Sequence, residues 1–425
     1  MTKKTTLSLH IPEARFRPGD TPDFSYLNLP GAGEAQRPPV TAVASETRDL
    51  AFGLVRVLDD EGKAVGPWDP KLDADMLRKA LRAMMLTRYF DDQMFKAQRQ
   101  GKTSFYMKCT GEEAVAVGQA LALEAGDMCF PTYRQQGLLV ARGWPLTDMM
   151  SQIYSNGQDR LKGRQLPVLY SAKEAGFFSI SGNLATQVPQ AVGWAMASAY
   201  KRDRRIAAAW IGDGSSAEGD FHHGMVFASV YHAPVLINLV NNQWAISSSQ
   251  GVAGGEEATF ASRAIGFGMP GIRVDGNDLL AVYAVTRWAA ERARSNHGPT
   301  LIELFTYRVA AHSTSDDPGR YRPGDEEKYW PFGDPIERLK RHLIGLGEWS
   351  EERHQAQAKE LQAEVKAANA EAQRHGILSD GPHHGNETMF EDVFKEMPWH
   401  LKEQLDELTR FEAAKEAATK KKEGE

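Results

Sequence analysis

The chain has 425 residues, of which 42% are hydrophobic, with 50 lysines and arginines against 56 acidic residues and a formal net charge of -6. That length and apolar content support a substantial core, in one large domain or two ordinary ones, and exclude a disordered chain. The acidic balance gives no electrostatic reason to bind nucleic acid, and no apolar run approaches the roughly 20 residues a bilayer span needs, so neither nucleic acid nor a membrane is expected as a partner. Cys109 and Cys129 are too few for a disulfide framework or a four-ligand zinc site. The amino terminus lacks the apolar core of a secretory signal and already carries Glu13 and Asp20, so a reducing, cytoplasmic setting is expected.

Residues 1–70 are punctuated by prolines and read as an extended N-terminal arm with one strand-like run, Gly53–Leu58. Phe16, Phe24, Tyr26 and Leu27 are more apolar than a solvated tail needs, which predicts an arm packed on a surface. From Asp73 to Gly101, Met76, Leu77, Leu81, Met84, Met85, Tyr89, Phe90 and Met94 recur at three- and four-residue spacing, predicting an amphipathic core helix. A helix opened by Gly111-Glu112-Glu113 follows, then a short strand, a turn at Pro131, and Tyr133-Arg134 ahead of another helix. Residues 151–182 read as a long loop of the kind that tends to be functional. Asn183–Tyr200 reads as a buried helix of small residues. Ile206–Ile211 and Val235–Val240 are strands, as are Ile272–Val274 and Thr300–Val309, with a helix over Leu279–Ser295 between the last two. Strands alternating with helices predict an α/β fold on a mainly parallel sheet over 71–380, and the charged remainder ends in a helical C-terminal tail over 381–425.

The chemistry gathers at two strand ends. Gly212-Asp213-Gly214 follows the strand ending at Ile211 and precedes a helix predicted to begin near Ser215. Glycines permit a tight turn and a close approach to phosphate, and helix-start amides favour negative charge. A carboxylate there opposes a phosphate unless a cation lies between, so Asp213 reads as a metal ligand. Asn241-Asn242 closes the next strand, with 26 residues between Gly214 and the pair. A helix and a loop fill that gap and bring the strand ends together at one edge of a parallel sheet. Aspartate, asparagine and main-chain oxygens with diphosphate oxygens and water make an octahedral shell suited to magnesium.

The run WIGDGSSAEGDFHHGMVFAS with LINLVNNQWAIS resembles the thiamin diphosphate motif, GDG followed by a double asparagine. With SFYMKCTGEEAVAVG at 104–118 and YRVAAHSTSDDPGRYR at 307–322, the chain is similar to the alpha subunits of two-component 2-oxoacid dehydrogenases from about Asp73 to Arg410. The HSTSDD run is most similar to the branched-chain group. The resemblance implies a diphosphate-binding half of a thiamin diphosphate fold, with Asp213, the Asn242 side chain and the main-chain oxygen of Trp244 on Mg2+. It places Gly212, Gly214 and Ser215 near the diphosphate with Tyr133 and Arg134, and Ser181, Gly182 and Leu184 against the cofactor, Leu184 as the apolar wedge that holds it bent. It implies a monovalent-cation (K+) loop at Ser181, Thr186 and Gln187, and an active-site histidine at His312. Val240 stands where the family often has arginine, so Arg134, His312 and magnesium are expected to meet the diphosphate charge. Ser313 matches a serine that a kinase modifies in mitochondrial relatives, and no such modification is expected here.

No second long α/β segment exists to carry the pyrimidine-side carboxylate. The resemblance therefore implies a split site in an α2β2 tetramer with a beta subunit, a small 2-oxoacid substrate, and a lipoyl-bearing acyltransferase as transient partner. Branched-chain 2-oxoacid decarboxylation leads; a pyruvate or acetoin dehydrogenase alpha subunit and a noncatalytic thiamin- or nucleotide-binding regulatory subunit stay open.

Overall fold

The computed structural model describes residues 7–423. The arm carries a short helix, α1 (Arg48–Phe52), where Glu46 accepts from the Val43 amide at 2.8 Å and starts a helical turn. The arm is therefore not extended throughout. The strand-like run after it forms no strand but two isolated bridges, Val55 to Val274 (parallel) and Leu58 to Ala64 (antiparallel), because Val57 and Leu58 give their amides to the Asp278 side chain at 2.8 and 2.6 Å. The expectation of a packed arm holds. Phe24 is buried with Trp244, Phe305, Tyr307 and Trp330, and its ring meets Trp330 edge-on at 5.4 Å.

The long amphipathic helix α2 spans Ala74–Arg99; its first turn is capped by Asp73, which accepts from the Met76 amide at 2.8 Å. Then come α3 (Glu113–Ala122), β1 (Met128–Phe130), α4 (Gln136–Ala141) and α5 (Leu146–Tyr154). The loop predicted from 151 thus begins only after Tyr154, since Met149, Met150 and Ile153 are buried on one face and extend the helix. Helix α6 covers Gln187–Tyr200, so Asn183–Thr186 stay outside it; Ala185 has a left-handed φ of 64°, which breaks any earlier helical start. The rest of the chain supplies β2 (Ala207–Gly212), α7 (Gly219–Val230), β3 (Val235–Asn241), the small hairpin of β4 (Trp244–Ala245) and β5 (Ser248–Ser249), α8 (Arg263–Gly266), β6 (Gly271–Asp275), α9 (Leu279–Arg294), β7 (Thr300–Phe305), α10 (Pro335–Gly345), α11 (Glu351–Arg374) and α12 (Trp399–Glu423). β7 ends four residues before the expected Val309, where Thr306 turns its amide to Asn241 and Arg308 to Asn242.

The main sheet is parallel throughout, in the order β1-β2-β3-β7-β6. Its period of two sorts the strand residues onto two cores. Ala208, Trp210, Leu236, Val240, Ile302 and Leu304 face α2, α3 and α9. Ala207, Ala209, Ile211, Val235, Ile237 and Leu239 face α6 and α7. Every residue of β3 and β7 is buried, as expected of central strands in a parallel sheet covered on both faces. One polar residue interrupts β3: Asn238 accepts from Gln119 at 2.7 Å and donates to the Ala209 carbonyl, so its burial is satisfied. Among the described residues no helix is long and apolar enough to cross a membrane.

Candidate active site

The register of β2 against β3 pairs Gly212 with Val240, and the Asp213 amide donates to the Val240 carbonyl at 3.2 Å. Asp213 and the Asn241-Asn242 pair therefore emerge at adjoining carboxyl ends, where ligands bind in open α/β sheets. The helix expected at Ser215 begins instead at Gly219. Between them lies a tight 3-10 turn, Gly214–Ala217, closed by the Ser216 hydroxyl donating to the Asp213 carbonyl at 2.6 Å. Gly214 is required by packing, because a Cβ there would stand 2.5 Å from the Ala245 Cβ. At Gly212 a Cβ would meet nothing, so this glycine borders open space.

Asp213 is 2% exposed. Its Oδ1 accepts from the Gly214 amide at 2.8 Å, while Oδ2 is buried without a hydrogen-bond partner. Burial pushes its carboxyl up to about 7. An orphaned, destabilised carboxylate oxygen is what a divalent cation would satisfy, so the donor chemistry fits a hard metal. The Asn242 Oδ1 has only a long 3.4 Å contact from the Trp244 amide. The Trp244 carbonyl lies in a turn flanked by left-handed Gln243 (φ 74°) and Ile246 (φ 56°), and it accepts from Arg308 at 2.9 Å. Among the described residues no cluster of three or more His, Cys, Asp or Glu could hold a metal, so the set depends on amide and main-chain oxygens.

A narrow cleft beside these strand ends is lined by Tyr133, Arg134, Ser181, Leu184, Gln187, Gly212, Ser215 and Asn242, eight of the residues expected from the sequence, with Glu112 and Val240 among the others. Gly182, Thr186, Asp213, Gly214, Trp244 and His312 do not line it. Its enclosed volume is about 40 Å³, far below the ~300 Å³ of a complete small-molecule pocket. Leu184 on its wall is 50% exposed. In the proposed cation loop the Ser181 hydroxyl accepts from the Asn183 amide at 3.1 Å and the Thr186 hydroxyl donates to the Asn183 carbonyl at 3.1 Å. Neither side chain caps α6. Gln187 donates to the Trp210 carbonyl at 2.6 Å, and its buried Oε1 has no partner.

Arg134 does not stand free. It donates to the carbonyls of Lys108 and His312 at 2.5 and 2.6 Å and meets His312 Nδ1 at 3.0 Å, while the Tyr133 and His312 rings lie edge-on at 5.9 Å. Because guanidinium only donates, Nδ1 accepts and the imidazole proton resides on Nε2. Burial, then Arg134 and Arg308, lower the His312 pKa to about 3. The imidazole is thus neutral, with its Nε2–H as the end that can donate to an anion.

Two residues escaped the sequence reading. Arg308, 1% exposed just beyond β7, donates to the Trp244 and Ile246 carbonyls at 2.9 Å and to the Tyr321 hydroxyl at 2.8 Å. Burial and the neighbouring Arg134 lower its pKa to about 10, marking a positive field in want of an anion. Its signal was an arginine directly after a buried strand. Glu112, 2% exposed, accepts from Asn242 Nδ2 at 2.7 Å. Burial raises its pKa, opposed by Arg134. Nothing in the helix-opening pattern distinguished it from Glu113.

A parallel sheet that gathers buried acid, amide and guanidinium groups at adjoining carboxyl ends marks the chain as an α/β enzyme. The chain belongs to the family described as dehydrogenase E1 component, whose model matches residues 81–379. A second model, the N-terminal segment of the 2-oxoisovalerate dehydrogenase E1 alpha subunit, matches residues 5–45. The chain is 61% identical to the 2-oxoisovalerate dehydrogenase subunit alpha of Pseudomonas aeruginosa, over 96% of this chain and 100% of that protein. It is 42% identical to the mitochondrial 2-oxoisovalerate dehydrogenase subunit alpha of Mus musculus, over 84% of this chain and 80% of that protein, and 40% identical to that of Homo sapiens, over 84% and 79%.

Proposed function

We propose that the chain is the alpha subunit of a 2-oxoacid dehydrogenase acting on branched-chain 2-oxoacids such as 2-oxoisovalerate, and that it holds the diphosphate end of thiamin diphosphate through Mg2+. The observation that carries this reading is the partnerless Oδ2 of Asp213, set at two parallel strand ends beside Arg134 and Arg308. Mg2+ would be held by Asp213, the Asn242 amide oxygen and the Trp244 carbonyl, the last being shared with Arg308. Gly212, Gly214, Ser215, Tyr133 and Arg134 would border the diphosphate, with Ser181, Gly182 and Leu184 along the cofactor. Gln187 Oε1, buried and unpartnered, supports a K+ site completed by Ser181 and Thr186.

When bound, thiamin diphosphate supplies the carbanion that adds to the 2-oxo carbon and allows carbon dioxide to leave. The residues of this chain supply position and charge. Arg308 and Arg134 impose a positive field on the diphosphate end, replacing the charge that Val240 lacks. The backbone at Gly212 leaves room for close approach. His312, neutral with its N–H on Nε2, would donate a hydrogen bond to an anionic oxygen of the substrate or cofactor.

The small enclosed volume and the half-exposed Leu184 support a site completed by a beta subunit in an α2β2 tetramer, with a lipoyl-bearing acyltransferase receiving the acyl group. Two free buried thiols, Cys109 and Cys129, suit a cytoplasmic setting. We divide the chain into an arm (1–70), the cofactor domain (71–380) and a helical tail (381–425). Purified chain mixed with its beta subunit and assayed on 2-oxoisovalerate, pyruvate and acetoin tests the reading. The branched substrate should be turned over fastest and the chain alone should be inactive; a preference for pyruvate or acetoin, or robust turnover without a partner, would sink it.

A further inference from the structure

Glu112 stands immediately before α3, buried beside the proposed cation site, with no role assigned above. Its neighbour Glu113 is committed elsewhere, accepting from Arg88 at 2.7 Å and from the Gly111 amide at 2.9 Å. Glu112 instead makes one specific contact, accepting from Asn242 Nδ2 at 2.7 Å in a buried setting. A carboxylate facing an amide accepts, whereas a primary amide has one donating and one accepting end. The contact therefore selects one of the two amide orientations. Nδ2 points at Glu112, and Oδ1 is turned away, with only the long 3.4 Å contact from the Trp244 amide and a lone pair left over.

That selection has a chemical consequence, because an amide oxygen is a ligand for a hard divalent cation and an amide nitrogen is not. The two amide ends are nearly equal in size, so packing alone discriminates weakly between them. We infer that Glu112 is a positioning residue that locks the Asn242 amide with its oxygen toward the cation. The inference rests on the reading of Asp213, Asn242 and Trp244 as cation ligands. Arg134 and Arg308 offset the charge that Glu112 adds to the site, which is how a second buried carboxylate is tolerated so close to Asp213.

The test uses the full-length chain with its beta subunit, thiamin diphosphate present, and Mn2+ binding followed by electron paramagnetic resonance. Glu112→Gln keeps an accepting oxygen, and Glu112→Met keeps the length without one. The Gln variant should bind Mn2+ within about threefold of wild type, and the Met variant ~10–100-fold more weakly, the cost typical of a lost outer-shell partner. Met binding as tightly as wild type would overturn the inference, and so would equal losses in both variants, which would make charge alone responsible. A second cycle guards against a Met variant that merely disturbs packing. In the Asn242→Asp background both ends of the side chain are oxygen, so the Glu112→Met penalty should vanish or reverse; an undiminished penalty would also overturn the inference. Wild-type complex that takes up no Mn2+ would strike at the cation site itself, a different and recognisable failure.

Discussion

Two buried aspartates stand at carboxyl ends of the same parallel sheet, and their surroundings differ in one respect that separates a site from a scaffold. Asp275, the last residue of β6, accepts from Arg338 at 2.7 Å and from the Asn277 amide at 2.9 Å, with Arg56 3.8 Å away. Asp278 beside it caps α9 and accepts from two arm amides. Asp213, just beyond β2, has one oxygen on its own neighbour's amide and the other on nothing. The arginines divide in the same way. At the β6 end Arg338 meets carboxylates, whereas at the β2 and β3 ends Arg134 and Arg308 are turned to carbonyls, a hydroxyl and an imidazole. Burial is equal at the two ends, so the partnerless oxygen of Asp213 is what the proposed cation site rests on.

The sharpest way to break this contrast is to remove Asp213. Asp213→Ala should reduce turnover of the complex by more than the ~10–100-fold that loss of an outer-shell partner costs, and should abolish Mn2+ uptake. The midpoint of urea unfolding should stay level or rise, since a desolvated, half-satisfied charge is lost. A variant that keeps its activity, or unfolds more readily, would place Asp213 with Asp275. The reciprocal change, Asp275→Ala, takes from buried Arg338 its closest carboxylate, leaving Asp278 at 3.7 Å, and should cost about 3–5 kcal/mol of stability in urea unfolding, with Mn2+ affinity of the folded protein unchanged. Weakened Mn2+ binding without loss of stability would make the two ends alike.

A smaller effect concerns the arm, which braces the turn carrying the Trp244 carbonyl. Phe24→Ala removes the ring stacked edge-on against Trp330 and should cost about 1.5–3 kcal/mol, the worth of one buried large side chain. A stability change under 0.5 kcal/mol would mean that the arm rests on the site's aromatic cluster without supporting it.

The parts of this arrangement legible in the sequence are those written in period and spacing. The alternating apolar runs of β2 and β3 and the glycine-flanked Asp213 located the strand ends, and the Met and aromatic stripe of α2 its buried face. Residues whose meaning lies in a partner far along the chain were opaque. Glu112 and Glu113 are adjacent and chemically alike, yet one meets Asn242 and the other Arg88. Arg308 reads as an ordinary strand-end charge until the fold curls the Trp244 turn around it. The start of α7 was misplaced because the Ser216 hydroxyl closes a local turn that no hydrophobic pattern records. Asp275 carried no less strand-end signal than Asp213; partners far along the chain, chiefly Arg338, 63 residues away, tell them apart.

His312 gives the finest test, because its state reports burial together with the positive field of Arg134 and Arg308 at this end of the sheet. Its pKa of about 3 lies below the ~6.5 of an unfolded histidine. Between those values the unfolded chain binds the additional proton, so this residue makes stability fall as pH drops from about 6.5 toward 3, and contributes nothing to pH dependence above about 7. The ring carbon resonances of His312 in selectively labelled protein should stay those of the neutral, Nε2-protonated tautomer from pH 8 down to 5. His312→Gln should flatten part of the acid-side loss of stability across that window. A titration midpoint near 6.5 would mean that the imidazole is neither desolvated nor under a net positive field from Arg134 and Arg308. The positive charge that sets the β2 and β3 ends apart from the β6 end, where Arg338 meets carboxylates, would then be missing, and with it the ground for expecting an anion there.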